Sequence, residues 1–424
     1  MTKAMKLKNL TKYFKHQIFA NEKVFEYLLL LLIFSLPLTT YLHSLFTLLF
    51  FIYSLSFIRK FQQHFFSSKN LLIVPLIIYG IYLLNLPRSE SLSAGLFELE
   101  KRLPLLMLPI SFMLIDFQLD GKRIFRAFVF ILLFYSILCF GNAGYNAVAN
   151  KSFIVQKITE REYYYFSYIY LTSPTSLDPI YFSFLINIAI LVILFNPIFC
   201  SRILSLLIVV YLAFFLILVA SKMGIICMCI IVILKLLSSL KSRLIVFVSS
   251  TVFLTTLGFV FQNLQFIGDR FKQGLNYEYS NEYSGLWNSS SQRMAIWNCA
   301  MITIQKREAF GYGLSNGQTA LLDCYTIKGY VRGHEDGYNS HNEFMHLTLE
   351  SGIVGLFVFS FLLVCVIFYS RRKNATLALF ILLSIMYFSI EVLLARQKGV
   401  SSFSLFYCVV YLLKPFKLST ENEI

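Results

Sequence analysis

Apolar runs follow one another along this chain with little polar sequence between them. They lie at about 24–42, 43–58, 70–86, 103–117, 124–148, 179–196, 202–220, 223–238, 243–261, 352–370, 375–395 and 402–414. A helix needs about 20 apolar residues to cross a bilayer. Several of these runs are shorter, and the first two read together as a tight hairpin. One segment breaks the rhythm: from roughly 262 to 350 the sequence is polar and aromatic, and it closes with Asn339-Ser340-His341-Asn342-Glu343 just before the next apolar run. The pattern predicts an all-α polytopic membrane protein with about twelve transmembrane helices and one long helical loop. Nine helices fall in 1–261, the loop in 262–351, and the last three helices with a tail in 352–424.

Inside the loop, Met294, Ala295, Ile296, Ala300, Met301 and Ile304 give helical periodicity from Gln292 to about Arg307. Ser290 or Ser291 is placed to cap that helix. Gly311-Tyr312-Gly313 marks a tight turn, and Tyr325 to Tyr338 reads as loop. A short second helix is expected from Ser340, separated by Gly352 from the next span. Two earlier segments also interrupt the apolar pattern. Leu86 to Arg102 interleaves Leu92, Leu96, Phe97 and Leu99 with Glu90, Glu98, Glu100 and Lys101, as an interfacial amphipathic helix does. Ala149 to Asp178 is dense in tyrosine, which fits either a headgroup-level aromatic belt or a platform for sugar rings.

Composition agrees with a membrane protein: 57% of residues are hydrophobic and 14% charged, against about 25% charged in soluble domains. The formal charge of +15 is largely topological. With the N-terminus inside, the alternate short segments collect Lys3 to Lys23, Arg59, Lys60, Lys69, Lys122, Arg123, Arg126, Arg202, Lys235, Lys241, Arg243, Arg371, Arg372, Lys373, Lys414 and Lys417. That excess follows the positive-inside rule and gives anionic membrane lipids, not nucleic acid, as the partner of the charge. Both termini are then cytoplasmic and the long loop is periplasmic, in a bacterial inner membrane. The basic N-terminus precedes a long apolar run without a small-x-small cleavage site, so it reads as an uncleaved first span. Of the eight cysteines, Cys299 and Cys324 share the oxidising side and are the two able to pair.

The loop holds His334, His341 and His346 of the six histidines, with Arg293, Arg332 and both tryptophans, Trp287 and Trp297. The histidine spacings do not make a metal motif, since His341 and His346 are five residues apart and do not share a helical face as an i,i+4 pair does. No nucleophile elbow or nucleotide loop occurs. His341 stands out for proton transfer because an imidazole ordinarily titrates near 6.5, and its neighbours Asn339, Asn342 and Glu343 can orient the ring. It can equally be a helix-starting residue that caps or meets a headgroup. Arg293 can grip an anion with its guanidinium fork or simply be solvated. Lys222 sits between two apolar runs, where a cation is costly and a phosphate partner is as reasonable as a snorkelling anchor. Glu391 with Arg396 and Lys398 forms either a local ion pair or part of the same cavity. Together these residues describe a cation-lined site overlooked by a histidine, suited to moving a sugar from a lipid pyrophosphate.

The motifs carry a resemblance. Ser221-Lys222-Met223-Gly224, Ser291-Gln292-Arg293-Met294-Ala295-Ile296-Trp297, Gly311-Tyr312-Gly313, Ser340-His341-Asn342-Glu343-Phe344 and Glu350-Ser351-Gly352 occur in this order over about 178–410. The pattern resembles the O-antigen ligase and polymerase superfamily of bacterial membrane glycosyltransferases. The resemblance implies a GT-C-like helical fold, an undecaprenyl-pyrophosphate-linked glycan donor and metal-independent, inverting transfer without a cofactor. It assigns His341 as general base and Arg293 to the donor pyrophosphate. Lys222 stands where relatives usually carry arginine, so it keeps the charge without the bidentate fork. Arg102 or Arg396 is expected to supply the missing donors, with Asn342, Glu343 and Glu391 in support. The acceptor expected is lipid A-core, as for an O-antigen ligase. An O-antigen or capsule polymerase, a protein O-oligosaccharyltransferase and, from another class, a lipid-linked oligosaccharide flippase are the alternatives.

Overall fold

The computed structural model describes residues 21–58, 70–115, 117–158, 161–239 and 289–413, with positions 251, 255 and 258. Most of the predicted run at 243–261, the start of the polar segment with Trp287, and several of the predicted inside lysines and arginines lie outside the described residues. The chain opens with a helical hairpin, α1 (Glu22–Ser35) and α2 (Thr40–Ser54). Next come α3 (Ile73–Asn85), the short amphipathic α4 (Leu92–Lys101), α5 (Pro104–Leu114) and the long α6 (Gly121–Ala149). An antiparallel hairpin of β1 (Ile154–Ile158) and β2 (Arg161–Tyr164) follows, then α7 (Tyr168–Thr172). The second set of apolar helices is α8 (Pro179–Phe195), α9 (Arg202–Val219) and α10 (Lys222–Ser239). The polar segment folds as α11 (Ser289–Lys306), α12 (Asn316–Ile327) and α13 (Val331–Glu335) before α14 (Glu343–Lys373), α15 (Ala375–Phe388) and α16 (Gln397–Tyr411).

This is an all-α, multi-pass membrane architecture, with the small hairpin as its exception. Among the described residues, five helices are long and apolar enough to span a bilayer, and they are 28–44% buried. The expected count of twelve spans is therefore not reached by length. The reason lies in packing: the short apolar helices are the most enclosed. Nearly every side chain of α8 and α16 is buried, whereas the long helices expose residues such as Phe130, Phe134, Leu206, Leu207, Phe357 and Phe361. A helix apolar all round belongs in an interior, and an outer helix that keeps its apolar face exposed fits a lipid surface. The enclosed helices meet through small polar groups, as membrane helices do. Ser404 Oγ donates to the Pro104 carbonyl (2.8 Å), and Asn196 Nδ2 donates to Thr376 Oγ1 (2.9 Å).

The bundle has two chemically different ends. Gly121 packs on Leu413, and Asn374 Nδ2 donates to the Val410 carbonyl (3.0 Å). Lys122, Arg123 and Arg126 therefore share an end with Arg371, Arg372 and Lys373. The other end carries the start of α8, the α9–α10 turn, the 389–396 loop and the polar segment. That segment is not detached: Leu349 of α14 joins Ala295, Ile296, Cys299, Leu321 and Tyr325 in a second core. Cys299 and Cys324 lie together there, both buried free thiols.

Local departures from the predicted pattern have simple causes. α11 begins at Ser289, so Ser290 and Ser291 lie in its first turn and do not cap it. Part of the expected 325–338 loop is α13. The run at 375–395 stays helical only to Phe388, and its remainder forms the loop that bears Glu391. Gly352 breaks α14 with φ 67° and ψ −171°. Tyr312 and Gly313 amides donate to the Leu349 and Glu350 carbonyls (2.8 and 2.9 Å), and the Ile353 amide donates to Glu308 (2.8 Å). The Gly311-Tyr312-Gly313 turn thus lies backbone to backbone against the break in α14. A Cβ on Gly352 would stand 2.3 Å from the Ala309 carbonyl oxygen. This positive-φ, extended-ψ backbone is essentially confined to glycine and alone costs another residue about 1–3 kcal/mol. Gly352→Ala is expected to lower the thermal midpoint of the detergent-purified protein by several degrees; an unchanged midpoint would contradict this account of the two glycine motifs.

Candidate functional site

The site is built where α14 begins. Asn342 caps that helix by accepting from the Met345 amide (3.0 Å), and its Nδ2 donates to the Ser389 carbonyl (3.0 Å). His341, just before the cap, has φ 43°, a left-handed conformation in which histidine is one of the more tolerated side chains. Asn339 Oδ1 accepts from its amide (3.0 Å) and holds that turn. The ring packs edge-on to Tyr338, and its Nδ1 lies 3.2 Å from Glu391 Oε2. The side chain is 25% exposed.

Arg293 comes to the same place from α11. Trp297, one turn further along, donates from Nε1 to the Ser340 carbonyl (3.0 Å). An i,i+4 pair shares a helix face, so the indole that pins the Ser340-His341 segment also turns Arg293 toward it. The electrostatics agree. Burial would push the Glu391 carboxyl up, but the His341 hydrogen bond and the charges of His341, Arg396 and Arg293 hold it below the usual carboxylate range. Glu391, His341, Arg293 and Arg396 thus form one cluster.

The 389–396 loop is fixed from beneath. Leu394 donates its amide to Glu343 Oε2 (2.7 Å), and its carbonyl accepts from Arg102 Nε (3.1 Å). Arg102 is fully buried; its Nη2 meets both oxygens of Glu350 (3.0 and 2.9 Å), and its guanidinium lies 4.2 Å from the centre of the Tyr82 ring. Tyr82 in turn donates to Glu343 Oε1 (3.2 Å). The expectation that Glu343 orients the imidazole is therefore corrected: Glu343 points down to the loop backbone, and Glu391 holds the ring. Arg102 likewise has its donors engaged by Leu394, Glu350 and Glu98, and so does not supply the donors expected of it beside Lys222. Arg396 is exposed at this end.

Lys222 begins α10 at the same end of the bundle. Ala220 with φ 51° turns the chain there, and Ser183 Oγ donates to Ser221 Oγ (3.0 Å) and lies 2.9 Å from Tyr387 Oη. Asn187 Nδ2 donates to the Gly224 carbonyl (2.8 Å). This buried polar knot ties the Lys222 turn to α15, two residues before Ser389. Beside the cluster opens a cavity of about 850 Å³, with Asn339 and Arg396 in its wall and His346 and Glu350 deeper in. The charge signs in sequence pointed to neither the His341–Glu391 pairing nor the lining role of His346; the i,i+4 spacing of His346 and Glu350 was the available signal for the latter.

Residues 207–360 match the family model described as O-Antigen ligase. The match is consistent with the O-antigen ligase superfamily. No curated protein matches the chain significantly. Members of the ligase family are glycosyltransferase-like enzymes, which act on a lipid-linked glycan donor and an acceptor in the membrane. The matched region carries Lys222, Arg293 and His341, whereas Arg102, Glu391 and Arg396 lie outside it and join it only in three dimensions. Breaking a buried pair by removing one partner costs about 3–5 kcal/mol. Arg102→Met is accordingly expected to collapse the yield of monodisperse protein or its thermal midpoint. A loss of donor affinity at an unchanged midpoint would instead put Arg102 in the donor site.

Proposed function

We propose that this chain moves a glycan from undecaprenyl pyrophosphate to lipid A-core at the periplasmic face of the inner membrane, as an O-antigen ligase. The observation that carries the reading is the His341–Glu391 contact with Arg293 and Arg396 around it: a proton acceptor and cations in one place. The matched family supports the lipid-linked donor. The basic residues at the opposite end of the bundle support a periplasmic site, since cytoplasmic ends collect lysine and arginine.

Nδ1–H of His341 donates to the Glu391 carboxylate, which leaves the Nε2 lone pair for chemistry. Nε2 takes the proton from an acceptor hydroxyl as its oxygen attacks the anomeric carbon of the donor sugar. The bond from that carbon to the pyrophosphate oxygen breaks, inverting the centre, and undecaprenyl pyrophosphate leaves with the electron pair. Arg293 and Lys222 neutralise the growing phosphate charge, with Arg396 beside them, so the leaving group is stabilised where charge develops. Glu391 stabilises the imidazolium that forms. A polymerase would run the same steps on a second lipid-linked repeat unit.

General-base groups contribute about 10²–10⁴-fold. In liposomes holding lipid-linked glycan and lipid A-core, His341→Ala is expected to lose transfer by that order while still binding donor; wild-type rates would sink the base assignment. Glu391→Gln should lower the rate, because an amide orients the imidazole and stabilises the imidazolium less well than a carboxylate does. A wild-type transfer rate in this variant would contradict the pairing.

A further inference from the structure

Glycan transfer makes no use of the two thiols in the core of the polar segment. α11 and α12 pack together there, and Cys299 of one helix meets Cys324 of the other, their sulfurs within hydrogen-bonding reach. Both are buried. Ile296, Ala300, Leu321 and Tyr325 enclose them in the same core. No other cysteine occurs between residues 262 and 350.

That core is small. Among the described residues its only buried aliphatic side chains larger than alanine are Ile296, Leu321 and Leu349. A small core gains little from burial, and extracytoplasmic domains of that kind use covalent cross-links. A link here would close the chain through the Gly311-Tyr312-Gly313 turn and remove freedom from the unfolded state. It would also join the two arms of the site. α11 carries Arg293 and Trp297, and Trp297 holds the Ser340 carbonyl. α12 carries Gln318, whose Nε2 donates to the Tyr338 carbonyl (3.1 Å), and Tyr338 packs against His341. Burial pushes the Cys299 thiol up, and only a thiolate exchanges. A bond between these sulfurs therefore forms while the core is still open and is shielded from other thiols once it closes.

We propose that Cys299 and Cys324 form a disulfide that ties α11 to α12. The proposal rests on the periplasmic orientation argued above and is independent of which acceptor the site takes. Thiol–disulfide exchange makes the bond. The first cysteine thiolate attacks the disulfide of a periplasmic dithiol–disulfide oxidant, and one oxidant sulfur leaves as a thiolate. The second cysteine thiolate attacks the first cysteine's sulfur in the mixed bond, and the oxidant departs as a dithiol. The two thiols of the chain thus give up two protons and two electrons, which the oxidant takes up.

The test is peptide mapping of the full chain from cells quenched in acid, denatured and alkylated with iodoacetamide before any reductant is added. The expected result is one peptide pair joined through Cys299 and Cys324, neither of them alkylated, which separates on reduction. In Cys299→Ala, Cys324 should become alkylated. Alkylation of both thiols in the wild-type chain, or a link from either to another cysteine, overturns the proposal. A second variant reads the orientation by itself. Glu335→Cys, at an exposed position of α13, is made in a Cys299→Ala, Cys324→Ala chain and treated in intact spheroplasts with a membrane-impermeant maleimide. Labelling is expected from outside. Two alkylated thiols together with outside labelling overturn the disulfide and leave the orientation standing. Two alkylated thiols with labelling only after lysis overturn both.

Discussion

One peptide group carries much of this architecture. The Leu394 amide is held by Glu343 and its carbonyl by Arg102, two buried side chains of opposite charge that reach it from different parts of the chain. Glu343 belongs to the first turn of α14, Arg102 to the end of α4, and Glu350 closes the frame by pairing with Arg102. Few buried charges are tolerated without such mutual satisfaction. The return is positional: three residues before Leu394, Glu391 is brought to His341, and two residues after it Arg396 stands at the N-cap of α16. A side chain that is to move a proton must be fixed to within a fraction of an ångström, and a frame of this kind gives such rigidity to a loop between two membrane helices.

The cations at this end of the bundle consequently divide into two kinds. Arg102 and Lys398 are structural, with their donors given to carbonyls and carboxylates. Arg293 and Arg396 lie within electrostatic reach of Glu391 beside His341, and Lys222 starts α10 at the same end of the bundle. The glycine motifs have a similar structural logic. Gly311, Gly313 and Gly352 let the polar segment lie against the break in α14, which sets the angle at which the residues carrying His341 meet the bundle. Nothing in that geometry cradles a nucleotide phosphate.

Much of this was legible in the sequence. Helical periodicity located the apolar helices, and the Ser-His-Asn and Arg-x-x-x-Trp motifs located the side chains that meet at the site, because an i,i+4 relation on a helix fixes which face Arg293 shares with Trp297. The partner of His341 was harder. Glu343 is two residues away in sequence, yet a positive φ at His341 and the start of a helix at Glu343 turn the two side chains apart. Glu391 approaches only through tertiary packing. The length of a run does not settle spanning: α8 and α16 are strongly apolar and enclosed by other helices. A buried helix and a short membrane span have the same one-dimensional pattern. The polar side chains that line the cavity beside the cluster come from α2, α4, α8, α12, α14 and α16, a combination that no local motif announces.

The central claim is that His341 and Glu391 act as one unit. A double-mutant cycle on the transfer rate tests it most directly, with His341→Ala, Glu391→Gln and the double variant assayed with the same lipid-linked donor. Residues that act as a unit lose their effects together, so Glu391→Gln should lower the rate in the wild-type background and change it little once His341 is alanine. If the two losses multiply, with Glu391→Gln costing the same factor in both backgrounds, the pair is not coupled and the account fails.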